Sequence, residues 1–411
     1  MGKNKFALIL PTILLISSFF YLFFVILQNK VLYTEKFDPK LYEKKYNQSQ
    51  WVVPNSKNII SDEDLFTYAG YKYIKGLNPI LINPETSHLG KYLIGLSIVL
   101  FNNQRIMSLI VGFLSLLVLS HLVYYSTKSP IAVSIAIFLT AVNSLFTDQL
   151  IHAPQLDIFQ LLFLLLFTIF FLIYKKTGAI LFLLSAGLSI GYFISSKFFL
   201  VSFSIMNLML LIYYFISKID FKKIFLELVT LNIVSLLIYV FTYVGYFIYG
   251  GTFRGFLGVQ KWIFLFYRSS KIEIAKLLGS YLHLIFFNNW RYWTDGYPII
   301  HYQYWSILWP VVFILGLVSA FKLLTDKKAR KDDLTILMTS FLIIYNIFLF
   351  VTPIYPRYLL LLFVPFNIII AIYFGKMLER VIPNLFRNLF RHSGLPAPRS
   401  SKSEVGSRIR S

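Results

Sequence analysis

Long apolar runs recur along most of this 411-residue chain, and they limit its possible folds more than any other feature. Hydrophobic residues make up 57% of the sequence and charged residues only 14%, and the mean hydropathy is +0.68. A soluble domain could not bury so much apolar surface, whereas a run of about 20 apolar residues is long enough to cross a bilayer. The sequence therefore predicts an all-α polytopic membrane protein.

The apolar runs predict about ten transmembrane helices. The first run follows Lys3 and Lys5 and has no small-residue cleavage pattern after it, which indicates a retained anchor rather than a signal peptide. A shorter apolar piece at 89–101 is expected to lie at the membrane interface. The predicted spans are 6–28, 105–126, 129–148, 157–174, 178–195, 198–217, 224–248, 304–323, 334–352 and 358–376.

The distribution of Lys and Arg predicts the orientation of these spans. If the N-terminus is cytoplasmic, most Lys and Arg of the short connectors fall on the inside, as the positive-inside rule requires. The net charge of +21 is then a sign of topology rather than of nucleic-acid binding. Two extracytoplasmic segments, 29–104 and 249–303, are expected to carry short interfacial helices. Residues 1–382 form one membrane domain, and the basic segment 383–411 is predicted to be a disordered cytoplasmic tail.

Acidic residues are concentrated in the first of these external segments. Acids are only 18 of the 411 residues, yet Asp62, Glu63 and Asp64 are adjacent and Glu85 follows closely. Ser61 and Asp64 have the spacing of a capping box, so the acids also suit the first turn of a helix that ends near residue 75. From this run alone, a structural helix start and a functional role are equally well supported.

His88 and Lys91 follow Glu85 directly and favour a functional role. Acids paired with a cation beside a lipid face suit a reaction on a phosphate-bearing lipid. The absence of cysteine excludes disulfides, thiolate metal sites and cysteine nucleophiles. His88 and His152 have no His/Glu spacing typical of a metal site, so ordinary polar roles are favoured for them.

The order of residues in this segment resembles the first external loop of the protein O-mannosyltransferases. The resemblance extends to the wider C-type superfamily of glycosyltransferases that use lipid-linked sugars. Thr86-Ser87-His88 departs from the family pattern, which has His-Pro-Pro before the leucine. The matching residues are Asp62-Glu63, Gly76-x-Asn78-Pro79, Asn83-Pro84-Glu85 and Leu89-Gly90-Lys91.

Weaker matches to the same family follow in the expected order along the chain. Leu156-Asp157 resembles a family segment in which an arginine stands where this chain has His152. The run from Gly191 to Lys197 resembles a glycine-rich span that ends in lysine, and Tyr355-Pro356-Arg357-Tyr358 resembles the Arg-Tyr start of a late span. The matches cover about 60–200; beyond that range the likeness is mainly one of hydropathy.

The resemblance implies an inverting transfer of mannose, or a similar hexose or pentose, from a polyprenyl-phosphate donor. Asp62 would be the general base, and Glu63 and Glu85 would orient it or bind the sugar. The donor is the implied lipid partner, and the acceptor hydroxyl belongs to a protein, a lipid or a glycan. No further cofactor is indicated, and metal dependence is left open. The other implied substrate-binding residues are His88, Lys91, Asp157, Lys197, Arg268 and Arg357.

The resemblance also implies a location for the protein and its site. We expect an integral, multi-pass protein of a prokaryotic plasma membrane, with the active site on the extracytoplasmic face. The aromatic run 289–295 in the second external segment fits two roles equally well, a lid over a sugar or part of an interfacial aromatic belt.

Other interpretations of the same residues compete with the enzymatic one. Asp157 could cap a helix, and Lys197 and Arg357 could extend to the membrane interface as isolated cations. The chain as a whole could be a transporter or lipid flippase without transfer chemistry. Charges buried in mid-span would favour transport, whereas ionisable residues here gather at the outer ends of spans, which favours an interfacial enzyme.

Overall fold

The computed structural model describes residues 3–152, 154–268, 272–327 and 329–392. Within these ranges the chain forms α-helices and no strand, so the predicted all-α class is confirmed. The described part of the chain opens with one long helix, and the segment 29–104, which the sequence predicts to be external, holds shorter ones. These are α1 (Lys3–Gln28), α2 (Lys30–Thr34), α3 (Pro39–Asn47), α4 (Asp62–Ile74), α5 (Pro79–Ile82) and α6 (Leu89–Phe101).

The central part of the chain is a series of apolar helices joined by short connectors. They are α7 (Ile106–Thr127), α8 (Pro130–Ala141), α9 (Ser144–Ile151), α10 (Asp157–Thr177), α11 (Ile180–Ser196), α12 (Phe199–Ser217) and α13 (Phe221–Phe241). The second external segment again holds shorter helices, and three long helices follow it. They are α14 (Val244–Ile248), α15 (Phe253–Arg268), α16 (Ile274–Leu277), α17 (Ser280–Phe287), α18 (Leu308–Thr325), α19 (Asp333–Phe350) and α20 (Leu360–His392).

Eight helices in the described ranges are long and apolar enough to cross a membrane. They comprise Ile9–Gln28 within α1, then α7, α10, α12, α13, α18 and α19, and finally Pro356–Glu379, which includes most of α20. Helices α8 and α9 make a ninth span if the pair is one segment bent by 60°. The predicted span 178–195 corresponds to α11, which has 17 residues and is therefore short.

Three predicted boundaries differ from the structure. The span 129–148 is broken, because the Asn143 side chain accepts a hydrogen bond from the Leu145 amide and starts a new helix. The span 224–248 ends at Phe241, where the Thr242 hydroxyl donates to the Tyr239 carbonyl at 2.7 Å and competes with the helix.

The third difference concerns the tail predicted to begin at residue 383. Helix α20 continues to His392, and its sequence keeps the apolar spacing of a helix at Ile382, Leu385, Phe386, Leu389 and Phe390. The segment 383–392 is therefore helical rather than disordered. Residues 393–411, the remainder of the predicted tail, lie outside the described residues.

Helices α4 and α6 cross at a pair of glycines, and this crossing positions the acidic end of α4. A Cβ on Gly70 would lie 2.3 Å from the Lys91 carbonyl oxygen, and one on Gly95 would lie 2.1 Å from the Gly70 carbonyl oxygen. The two backbones are therefore in direct contact, which only glycine permits. The crossing fixes the start of α4 relative to the loop that precedes α6.

Gly70→Ala is expected to lower the thermal unfolding midpoint, because the added methyl group must push α4 and α6 apart. Overpacking of this kind costs about 1–3 kcal/mol of unfolding free energy. Gly258→Ala is the matched control, since a Cβ on the exposed Gly258 of α15 meets no atom within 4 Å. Unfolding of the purified variants in detergent measures both changes. Equal midpoints for the two variants would contradict the close crossing.

Candidate active site

The three acidic side chains in the first turn of α4 contact two different cations. Ser61 caps the helix by accepting from the Asp64 amide at 3.2 Å, so the predicted capped helix is confirmed, with its end at Ile74. The Asp64 carboxylate bonds to Lys45 of the first external segment at 2.8 Å. Asp62 and Glu63 instead face Arg357. Helix capping therefore accounts for Ser61 but not for the placement of Asp62.

Arg357 lies at the centre of a cluster of three carboxylates. Its guanidinium donates to Asp62, and it lies 3.7 Å from Glu63 and 3.8 Å from Asp157. The side chain is only 11% exposed and stacks over the Tyr355 ring at 4.7 Å. It belongs to the turn Pro356–Leu359 that leads into α20. Arg357 is thus buried among acids, and the interpretation of an isolated interfacial cation is wrong.

Lys197 and Asp157 form a buried ion pair beside this arginine. The Lys197 ammonium donates to Asp157 at 2.6 Å, and both side chains are at most 5% exposed. The ammonium also lies 4.0 Å from the centre of the Tyr358 ring. Burial lowers the pKa of Lys197 to about 8, although the Asp157 charge opposes this shift.

Asp157 could be read from the sequence either as a helix cap or as a site residue, and the structure distinguishes the two. Asp157 is the first residue of α10, but Leu156 occupies the cap position and no side chain caps the helix. The alternative in which Asp157 serves as a helix cap is therefore wrong. Lys197, placed between α11 and α12, is likewise not an isolated interfacial cation, because it is paired inside the protein.

Lys91 holds the loop that precedes α6. Its ammonium is fully buried and bonds to the Asn83 carbonyl at 2.8 Å, the Asn83 side chain at 2.6 Å and the Thr86 carbonyl at 3.0 Å. The Ser87 amide in turn donates to the Lys197 carbonyl at 3.0 Å. The structure therefore places Lys91 behind the loop and not within the ion pairs around Arg357.

Glu85 lies on this loop, and the charges of Lys91, Asp62 and Arg357 act on its carboxyl group. Burial raises the pKa of the Glu85 carboxyl above its ordinary value, Lys91 opposes that shift and Asp62 adds to it. Burial also lowers the pKa of Lys91, while the charges of Glu85 and Asp62 work against the change. Glu85, Asp62 and Lys91 are thus close enough to act on one another.

The remaining predicted site residues do not join the Arg357 cluster. His88 is completely buried, packs 4.4 Å from the Tyr243 ring, and has no hydrogen-bond partner among the described residues. Burial lowers its pKa well below the ordinary value, and the Lys91 charge acts in the same direction. Arg268 lies at the exposed end of α15. No group of three His, Asp or Glu that could hold a metal occurs in the ranges described above.

His152 joins the second external segment to the end of α9. Its ring nitrogens contact Asp148 at 2.9 Å and the Tyr304 hydroxyl at 2.7 Å, and Tyr302 donates to Asp148 at 3.0 Å. This arrangement holds the segment after residue 300 in place. His152 therefore has an ordinary polar role, as the sequence favours.

Several residues of the cluster were not singled out from the sequence. Tyr355 and Tyr358 supply the rings beside Arg357 and Lys197, although both stand in the motif that pointed to Arg357. Gln155 donates to Glu63 at 3.0 Å. The aromatic run 289–295 packs here too, since the Trp293 ring centre lies 5.4 Å from that of Tyr355. No sequence pattern indicates that Gln155 lies beside Glu63, whereas the run 289–295 stands out in the sequence for its aromatic residues.

A narrow cleft begins at the Lys197–Asp157 pair. The polar lining groups are this pair, Tyr358, Tyr345, Gln160 and Ser202, and the other lining side chains are apolar. The apolar lining residues are Phe193, Phe198, Val201, Ile205, Phe348 and Leu361. The cleft thus combines a buried ion pair with a mainly apolar lining.

Known structures share the fold, whereas no family model and no curated protein sequence matches this chain. ArnT from Cupriavidus metallidurans is similar in the apo state (TM-score 0.52, 14% identity) and bound to undecaprenyl phosphate (0.57, 16%). The archaeal oligosaccharyltransferase AglB from Archaeoglobus fulgidus, in complex with an inhibitory peptide and a dolichol-phosphate, is similar with a TM-score of 0.50 and 15% identity.

The likeness extends over most of this chain but not over all of those proteins. It covers 86% of this chain for both ArnT structures and 88% for AglB, but 60%, 61% and 52% of the three compared chains. This chain therefore spans about three fifths of ArnT and half of AglB. The chain therefore shares the fold of ArnT and AglB over most of its own length. The narrower resemblance to the protein O-mannosyltransferases stays a prediction.

Proposed function

We propose that this protein transfers a sugar from a polyprenyl-phosphate donor to an acceptor hydroxyl at the Arg357 cluster. The observation that carries the proposal is the meeting of Asp62, Arg357, Asp157 and Lys197 in one cluster, in which Asp157 and Lys197 also line a mainly apolar cleft. Two cations suit the donor phosphate, and the cleft suits the hydrocarbon next to it. The shared fold adds support, because ArnT and AglB have been solved with undecaprenyl phosphate and dolichol-phosphate.

In the proposed reaction, the acceptor oxygen attacks the anomeric carbon as the bond from that carbon to the phosphate oxygen breaks. The lipid phosphate leaves with the bonding electrons, and Asp62 takes the acceptor proton. Lys197 and Arg357 stabilise the charge that grows on the phosphate. Because the attack is direct, the anomeric centre inverts.

The hydrogen bond from Arg357 to Asp62 gives the donor phosphate a way to free the Asp62 carboxylate. In the structure, the Asp62 carboxylate accepts a hydrogen bond from Arg357. A donor phosphate would compete for this guanidinium and leave Asp62 available to accept a proton. Glu63 and Glu85 would contact the sugar, and Lys91 would hold the Glu85 loop in position.

The identity of the sugar, the acceptor and the location of the site are further parts of this proposal. The transferred sugar is mannose or a similar hexose or pentose, and the acceptor hydroxyl is that of a protein, a lipid or a glycan. The positive-inside pattern supports a site on the extracytoplasmic face. The plasma membrane of a prokaryote is part of the same proposal.

The positions of the charged residues favour this reaction over transport. Asp157 is the first residue of the span Asp157–Thr177, and Arg357 is the second residue of the span Pro356–Glu379. The cluster therefore lies at the ends of these spans. Glu227 is buried within α13, but Lys175 and the Tyr214 hydroxyl bond to it at 3.3 Å and 2.7 Å. A transport pathway calls for ionisable groups that line mid-span cavities, which these paired residues do not provide.

The direct test is donor consumption by the purified protein in detergent, with a panel of polyprenyl-phosphate sugars. We expect one donor to yield free polyprenyl phosphate and an inverted glycoside. If none of the donors is consumed by folded protein, while reconstituted vesicles move the lipid or sugar across the bilayer, the transporter interpretation replaces this one.

The pH dependence of donor use should report the charge on Lys197. A lysine is charged below its pKa, which burial places at about 8, so kcat/KM for the donor should fall about tenfold per pH unit above that value. In Lys197→Arg the guanidinium stays charged, because the pKa of arginine is above about 12. The shape of this variant's kcat/KM profile should therefore lack the alkaline fall. An identical fall in both proteins would remove Lys197 from donor binding.

A further inference from the structure

Helix α15 of the second external segment presents a line of cations on its exposed side. Arg254, Lys261 and Arg268 are seven residues apart, which puts them within about 40° of one another on a helix of 100° per residue. All three are exposed, and α15 contains no acidic residue. In the described ranges, none of the three lies within 4.0 Å of a carboxylate.

The opposite side of α15 packs against the rest of the protein, so the three cations face outward. Phe256 is buried against the Tyr243 ring, with ring centres 4.9 Å apart. The Gln260 side chain accepts a hydrogen bond from the Tyr239 hydroxyl at 2.6 Å. At the far end, Tyr267 packs edge-on against Phe198, next to Lys197. The helix therefore lies on the same side of the molecule as the candidate site.

Large apolar side chains border the cations on both sides. Phe253 is 61% exposed, Leu257 52% and Phe264 50% along one border, and Leu265 is 48% and Trp262 42% exposed along the other. So much apolar surface on one helix calls for a hydrocarbon boundary. At 16 residues, or about 24 Å, α15 is shorter than the 20 or so residues that a span needs, and it adjoins the spanning helix α13.

We propose that α15 lies in the membrane surface beside the candidate site and binds the headgroups of anionic phospholipids through Arg254, Lys261 and Arg268. The bordering aromatic and aliphatic side chains enter the boundary of the acyl chains, and the cations meet lipid phosphates at the level of the headgroups. Headgroups that carry net negative charge fit best, since the three cations have no acidic partner in the helix.

The first test measures anionic lipid retained by the full-length protein in nanodiscs of phosphatidylcholine mixed with phosphatidylglycerol. Native mass spectrometry should show preferential retention of phosphatidylglycerol. Each change of Arg254, Lys261 or Arg268 to Gln should weaken that preference about fivefold. The charge-keeping variant with Arg254→Lys, Lys261→Arg and Arg268→Lys should retain it. An unchanged preference in the triple Gln variant would overturn the proposal.

The second test locates the helix surface and uses the absence of cysteine from this chain. A nitroxide on Gly258→Cys should collide more with membrane-dissolved oxygen than with a water-soluble nickel chelate. A nitroxide on Lys57→Cys, in the exposed part of the first external segment, is the aqueous reference. Equal nickel access at both positions would place α15 in water and overturn the proposal. Neither readout depends on sugar transfer, so these tests stand apart from that of the proposed function.

Discussion

Asp62→Asn is expected to lower sugar transfer from polyprenyl phosphate by about 10²- to 10⁴-fold. The substitution keeps the size of the side chain but removes the proton acceptor, and loss of a general base has an effect of this order. Helix capping is not affected, because Ser61 supplies the cap. The measurement is the initial rate of polyprenyl phosphate release by purified protein, together with its unfolding midpoint.

Asp64→Asn is the matched control for this variant. Asp64 stands in the same helix turn, but its carboxylate pairs with the half-exposed Lys45 and points away from Arg357. An exposed ion pair contributes about 1 kcal/mol or less, so transfer should stay close to normal. Equal and mild effects in the two variants would make the acidic run a helix start and would return the transporter interpretation to first place.

Arg357→Gln is expected to reduce transfer by about 10²- to 10³-fold, the usual cost of losing one donor that stabilises developing negative charge. It also leaves Asp62, Glu63 and Asp157 without their shared cation, so the unfolding midpoint should fall as well. The rate per folded molecule separates the two effects, with folded protein counted by size-exclusion chromatography before the assay.

Arg105→Gln serves as the control for the loss of a cation. Arg105 bonds to the His152 carbonyl at 3.1 Å and pairs with Glu35 at 3.1 Å, both outside the Arg357 cluster. We expect its transfer rate per folded molecule to be near normal. If Arg357→Gln retained a similar rate, the guanidinium would be a structural partner of the acids and not part of the donor site.

Local patterns in the sequence predict the parts of the fold that depend on neighbouring residues. Span positions follow from apolar length, and the helix start at Asp62 follows from Ser61 and Asp64. The break at Asn143 does not follow in the same way. The apolar run 130–142 before it gives no sign of a break, and the Asn143 side chain, which accepts from the Leu145 amide, starts the new helix.

The candidate site could be predicted as a set of residues but not as an arrangement. The resemblance pointed to Asp157, Lys197 and Arg357, yet nothing in their spacing indicates that Lys197 pairs with Asp157, or that Arg357 reaches Asp62 across 295 positions. Such contacts depend on how distant helices pack. For the same reason Lys91 seemed suited to a phosphate, whereas its ammonium is occupied by the Asn83 and Thr86 oxygens.

The path of the chain through this cluster has a consequence for biosynthesis. The acids at positions 62, 63 and 157 are made long before Arg357, which arrives with the span Pro356–Glu379. A nascent chain that has not yet inserted this span holds three carboxylates without the cation they share. Insertion of this span therefore supplies the cation that neutralises the three carboxylates, and a ribosome that stalls before α20 should leave a membrane-inserted product that is loosely packed and readily degraded.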